Sequence, residues 1–206
     1  MSFEQPKFEN PQEASEELEK TDEEVFIEYV RDLELSPEDF DKKILDVGAG
    51  GAEFAKWAKE HGISSEIYSL ESSQELKEKT KAVRGLAEQL PFAENAFDLV
   101  VSNAAIPNIF LWRDKAKVRE SFLEALRVVK PGGEVRFARV GKGESRSERK
   151  KLTQRINTTL AELRKSGVKV EEIRQPHADI HKYGRKGKKG RLLSEAYLIK
   201  LHKPGK

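Results

Sequence analysis

Ile44-Leu45-Asp46-Val47-Gly48-Ala49-Gly50-Gly51-Ala52-Glu53-Phe54 decides how the rest of the chain is read. A short apolar run ends in glycines, and Phe54, Trp57 and Ala58 then recur at helical spacing. That pattern is a strand, a glycine turn and a helix. Gly48 and Gly50 allow positive φ and let the backbone approach a ligand closely. The start of the following helix offers N–H groups that have no partner inside the helix. In an open α/β sheet, ligands bind beyond the carboxyl ends of the strands. Asp46 lies in the first strand, and Glu71, 25 residues later, ends the next one. A carboxylate at Glu71 can accept hydrogen bonds from both hydroxyls of a ribose. Together these residues point to a cofactor that contains adenosine.

The turn also says which adenosine cofactor fits. A dinucleotide fingerprint needs G-x-G-x-x-G. Here Glu53 takes the place of the third glycine, where a carboxylate sits badly beside a pyrophosphate. The lysine of a nucleotide-triphosphate loop is absent as well. A cofactor with a ribose and no phosphate fits better.

Outward from this turn the chain alternates. Thr21-Asp22-Glu23-Glu24 reads as a helix cap with an acidic first turn, and Val25, Phe26, Tyr29, Val30 and Leu33 follow at helical spacing. Ser36-Pro37 ends that helix or opens a turn. Strands are expected at 66–70, 97–101, 135–140, 168–173 and 192–201. Helices are expected from the Ser72/Ser73 cap to about Ala82, through Val118 to Val129 with a stop at Pro131-Gly132-Gly133, and along Leu152, Ile156, Leu160 and Leu163. This order argues for a mainly parallel sheet with helices on both faces.

The composition agrees with one α/β domain. The chain has 206 residues, 37% hydrophobic and 36% charged, with 10 Phe, 4 Tyr and 2 Trp to anchor a core. With no Cys, disulfides, a cysteine nucleophile and Cys-ligated metals are excluded. The four His show no metal spacing, and no metal is expected. The N-terminus is acidic and lacks an apolar signal, and the apolar region 96–112 is broken by Asp98, Asn103 and Pro107. A cytoplasmic protein without a membrane span is the expectation. Residues 1–100 hold 11 Lys and Arg against 25 Asp and Glu, whereas 101–206 hold 27 against 11. Either the basic half offers a face to a polyanion, or the two segments fold against each other.

The motifs resemble a known family. Ile44 to Gly51 is similar to motif I of class I S-adenosylmethionine-dependent methyltransferases. Gly85-Leu86-Ala87-Glu88-Gln89-Leu90-Pro91-Phe92, then Phe97-Asp98-Leu99-Val100-Val101-Ser102-Asn103, resembles the methyltransferase-11 branch, which includes quinone-biosynthesis C-methyltransferases and many small-molecule enzymes. Leu126 to Gly133 matches that branch's helix-to-strand corner. The resemblance covers roughly residues 40–140. It implies a Rossmann-like class I fold: a seven-stranded, mainly parallel sheet with an antiparallel last strand. A helical arm or lid at 1–38 would precede a cofactor-binding domain at 39–206.

Carried over residue by residue, the resemblance implies that Asp46, Gly48, Ala49 and Gly50 hold the methionine end of S-adenosylmethionine. Glu71 would bind the ribose, with Ser72 beside it. Ala87 and Glu88 would lie beside the adenine, and Ser102 and Asn103 near the sulfonium and the acceptor. Leu86 departs from the branch, which often has an Asp there reaching the adenine amine. The family's reaction is in-line displacement at the sulfonium methyl, to which a protein contributes mainly alignment and exclusion of water. No catalytic base is assigned.

Each residue also has a plainer reading. Asp46 could tie the turn amides, Glu71 could cap a helix, and Ser102-Asn103 could end a strand. The stretch 182–191, with six Lys and Arg in ten residues, is either a solvated loop or a phosphate clamp. A small-molecule acceptor is the leading expectation. The alternatives are an RNA acceptor held by this stretch and a protein that binds the cofactor without transferring its methyl.

Overall fold

The computed structural model describes residues 20–64, 66–72, 81–111, 114–143, 147–183 and 189–205. Helix α1 (Asp22–Asp32) starts where the cap was expected. The Thr21 hydroxyl accepts the Glu24 N–H, and the Glu24 carboxylate accepts the Thr21 N–H. A 3-10 turn over Pro37–Asp41 leads to β1 (Ile44–Val47), and all four residues of that strand are buried. Burial on both faces explains why the strand is apolar except at Asp46.

Strand β1 lies between β2 (Ile67–Glu71) and β4 (Phe97–Asn103), parallel to both. Helix α2 (Glu53–Glu60) joins β1 to β2, and β3 (Lys81–Arg84) pairs parallel with β2. On the other side, β5 (Val129–Lys142) pairs parallel with β4. With β6 (Lys169–Arg174) and β8 (Lys189–His202), the path is β3-β2-β1-β4-β5-β8-β6. Strand β8 runs antiparallel to both its neighbours. The expected seven-stranded, mainly parallel sheet with an antiparallel last strand is present. An eighth strand, β7 (Ile180–Tyr183), is added to it and pairs with the first part of β8.

Helices cover both faces. Alternate residues of one strand face opposite ways. Leu99 and Val101 pack with Phe26, Tyr29 and Phe54 from α1 and α2. Val100 and Phe137 pack with Phe122 from α3 (Lys117–Val128) and Leu152, Ile156, Leu160 and Leu163 from α4 (Ser147–Lys165).

Two local expectations are corrected. Lys81 and Ala82 belong to β3 and not to a helix from Ser72; residues 73–80 of that helix lie outside the described residues. Strand β5 begins at Val129 and runs through the Pro131-Gly132-Gly133 corner. There Gly132, at φ +77°, donates its N–H to the Lys203 carbonyl. Residues 1–19 of the arm and 184–188 of the basic stretch also lie outside the described residues.

The acidic and basic segments fold against each other. Arg136 pairs with Asp39, Arg139 with Glu28 and Asp32, and Lys200 with Glu34. The folding reading of the charge division therefore accounts for part of it.

Candidate active site

The carboxyl ends of β1 to β4 meet in a cleft of about 230 Å³. Its first wall is the glycine turn. The N–H groups of Gly48 and Ala49 both donate to the Leu70 carbonyl, which joins the ends of β1 and β2. Gly48 has φ +81°, and a Cβ there would stand 2.3 Å from the Ala105 Cβ. Glycine is required here both by conformation and by the approach of the loop after β4. Ala52 takes the left-handed conformation at φ +64° and starts α2.

Glu71 is fixed by backbone on two sides. The Gly50 N–H donates to its Oε2 at 3.2 Å, and the Ser72 N–H donates to its Oε1 at 2.6 Å. The Ser72 hydroxyl also donates to Oε1, at 3.2 Å, so the carboxylate is held in place at the end of β2. Thus Glu71, and not Asp46, ties the turn amide. Asp46 is fully buried, and its Oδ1 accepts from the Tyr29 hydroxyl at 3.4 Å. Its Oδ2 has no hydrogen-bond partner among the described residues. Burial above all, with Glu71 and Glu53 adding their charges, pushes the Asp46 carboxyl up to about 8. Burial and the neighbouring Asp46 raise the Tyr29 hydroxyl well above its ordinary value. Glu53 curls back over the turn, where its Oε1 fills the space of a side chain at Gly51. Three carboxylates therefore surround one loop.

The other walls are apolar. Leu70, Leu86, Ile106 and Ile109 line the cleft, and Ala87 and Glu88 form its far edge after β3. Of the expected residues, Gly48, Glu71, Ser72, Ala87 and Glu88 line this cleft. Asp46, Ala49, Gly50, Ser102 and Asn103 do not. Ser102 is buried, and its hydroxyl accepts the Ile106 N–H at 3.0 Å, which supports the turn after β4. The Asn103 side chain has a buried Oδ1 without a hydrogen-bond partner among the described residues.

Sequence reasoning missed Tyr29 and the Ile106/Ile109 wall. Tyr29 sits in the apolar stripe of α1, and only its hydroxyl sets it apart from a core residue. Ile106 and Ile109 lie in the segment after Asn103, which the resemblance assigns to the acceptor pocket without naming residues. Among the described residues, no helix is long and apolar enough to cross a membrane, and no group of three or more His, Asp or Glu could hold a metal.

Residues 45–137 match the model of a methyltransferase domain. Over that stretch, just under half of its length, the chain is similar to a methyltransferase domain. The match runs from β1 into β5 and contains the whole cleft. The chain is 35% identical over 107 residues to a demethylmenaquinone methyltransferase from a Geobacillus strain, a stretch covering 46% of this chain and 43% of that relative. It thus spans less than half the length of this curated relative. The fold of the YcgJ protein from Bacillus subtilis superposes with a TM-score of 0.58 at 14% identity, covering 85% of this chain and 99% of that one. A methyltransferase from Haloferax volcanii, solved with the Trm112 methyltransferase activator, gives 0.58 at 16% identity and covers 89% and 93%. At such identities the likeness is one of fold. The matched stretch ends inside β5, so for α4 and the strands after it the likeness is to these folds alone.

Proposed function

We propose that this protein transfers the methyl group of S-adenosylmethionine to a small-molecule acceptor. The observation that carries the reading is the carboxylate arrangement at the glycine turn. Glu71, oriented by the Gly50 and Ser72 amides, meets a ribose diol at the end of β2. Asp46, buried with one bare oxygen, and Glu53 favour a cation at the same loop. S-adenosylmethionine brings an ammonium, a sulfonium and a diol, and no phosphate to be repelled by Glu53. Its sulfonium supplies an already activated methyl. The chain's own work is then to hold the cofactor, face the acceptor to it and keep water out. The demethylmenaquinone methyltransferase relative is named for a small-molecule acceptor, which supports the acceptor class proposed here.

The test is Glu71→Ala with S-adenosylmethionine titrated by calorimetry. Losing a charged acceptor of two hydroxyls should cost about 1.5–3 kcal/mol, about tenfold or more in affinity. A folded variant with unchanged affinity overturns the ribose assignment. Single-turnover assays with labelled cofactor and a panel of small acceptors then separate transfer from binding alone.

One observation favours a second reading, an RNA acceptor. The last pair between β5 and β8 is Lys142 with Glu195, so residues 189–194 of β8, paired with β7, overhang the carboxyl end of β5. The overhang is on the same side of the sheet as the cleft. It carries Lys182, Lys189 and Arg191.

A further inference from the structure

We propose that Arg139 is a positioning residue for the cofactor site: held in a strained bulge of β5, it fixes α1 on one side and the loop of Ile106 and Ile109 on the other. The inference rests on the S-adenosylmethionine reading and adds the residue that links the two supports of the site.

Strand β5 stops alternating near its carboxyl end. Phe137 and Val140 both pack on the face of α3 and α4, although a regular strand would turn them to opposite faces. Phe137 pairs with Ile199 and Val140 with Tyr197, so β5 advances three residues while β8 advances two. This is a β-bulge, a device that re-aims a side chain. Arg139 lies in it with φ +55°, in the left-handed region. Glycine takes this conformation without steric cost, and a side chain held there against strain points to a task for it.

Both backbone groups of Arg139 have a side-chain partner. Its N–H donates to the Gln175 Oε1 at 2.9 Å, and its carbonyl accepts from the Asn108 Nδ2 at 2.8 Å. Asn108 belongs to the loop after β4 that carries Ile106 and Ile109, and its Oδ1 accepts the Gly141 N–H at 3.0 Å. The apolar wall of the cleft is thereby tied to the bulge. Gln175 in turn donates to the Asp32 carbonyl at the end of α1, at 2.6 Å. The re-aimed guanidinium reaches the same helix, 3.5 Å from Glu28 and 3.4 Å from Asp32. These two acids stand one turn apart, and Tyr29, between them in sequence, bonds Asp46 behind the glycine turn. Without the guanidinium, this turn of α1 loses its tie to β5, and Tyr29 its fixed place on Asp46.

The experiment compares the wild type with Arg139→Gly, Arg139→Ala and Arg139→Lys, by denaturant unfolding and by calorimetric titration with S-adenosylhomocysteine. Glycine relieves the backbone, so Arg139→Gly should be more stable than Arg139→Ala, the reverse of the usual order in a strand. Both should bind S-adenosylhomocysteine more weakly than the wild type by about fivefold or more, the size expected of a residue that acts on a site through others. Arg139→Lys keeps a cation able to reach one of the two acids, so it should regain part of the affinity while its backbone stays as strained as that of the alanine variant. Affinity and stability then rank the variants differently, which a residue that only supports the fold would not produce. Wild-type affinity in folded Arg139→Gly overturns the proposal. Affinity that follows stability, with the glycine variant above the lysine one, overturns it as well. If the wild type itself binds no S-adenosylhomocysteine, it is the cofactor reading that fails, and the proposal with it.

Discussion

Asp46 is the residue whose chemistry depends most on its surroundings. It is buried, receives one hydroxyl from Tyr29, and has its carboxyl pushed up to about 8. Below about pH 4 the carboxyl is protonated in the folded and unfolded chain alike. Between there and pH 8 the unfolded chain gives up the proton and the folded protein keeps it. Stability from this group therefore falls as pH rises through that window and levels off above it. Asp46→Asn keeps the uncharged form, so its stability relative to wild type should climb from pH 5 to pH 8 in denaturant unfolding. A flat difference would refute the raised carboxyl. A bound cation reverses the preference, because it favours the ionised form. Cofactor binding near pH 7 should therefore release a proton, seen as a binding enthalpy that varies with the ionisation enthalpy of the buffer. In Asp46→Asn that variation should vanish. The importance of this residue was legible in the sequence, since an acid beside a glycine turn is a local pattern. Its burial was not, because Tyr29 lies 17 positions upstream on another element.

Among the elements, α1, whose Tyr29 bonds Asp46 behind the glycine turn, shows how a distant strand can hold a supporting helix. Arg136 of β5 is buried, and its Nη1 donates to the carbonyls of Leu33 and Glu34 at the end of α1, at 3.2 and 2.9 Å. These are carbonyls that a helix end leaves without partners. The same guanidinium pairs with Asp39 and Glu134. Arg136→Ala would leave Asp39 with Lys42 and the Ser36 N–H and strip the two carbonyls of this donor, and should lower stability by about 1.5–3 kcal/mol. Denaturant unfolding with an unchanged slope measures this, and a loss below about 1 kcal/mol would show that α1 is held by its aromatic packing alone. Neither the sequence periodicity of β5 nor that of α1 reveals this link, because the partners are about a hundred residues apart. The long elements, by contrast, were readable. The stripe Leu152, Ile156, Leu160 and Leu163 is buried in α4 as its spacing required. Strand β3, with the sequence Lys-Ala-Val-Arg, has four residues, exposed ends and a single neighbour. So short an edge strand carries no alternation long enough to read. Strand β7 has the same length and went unread for the same reason.

For the whole molecule, the open issue is what the unequal charge is for. Contacts such as Arg136–Asp39, Arg139–Asp32 and Lys200–Glu34 absorb opposite charges that lie far apart in the sequence. Lys182, Lys189 and Arg191 belong, by backbone position, to β7 and to the part of β8 that pairs with it beyond the end of β5. The two acceptor readings make opposite demands on them. If these three cations contact three phosphates of a single strand, the logarithm of affinity falls with the logarithm of salt at a slope of about −2, so binding weakens about 20-fold between 50 and 200 mM salt. Replacing all three with Gln should remove both that affinity and its salt dependence. A neutral small acceptor, held in the cleft region by shape and hydrogen bonds, should turn over within about twofold of wild type in the same variant and across the same salt range. The proposal of a small-molecule acceptor therefore predicts a triple variant whose kcat/KM is unchanged and indifferent to salt. A steep salt slope in the wild type, lost in the variant, would move the acceptor from the cleft to the hairpin and make the basic stretch part of the binding surface.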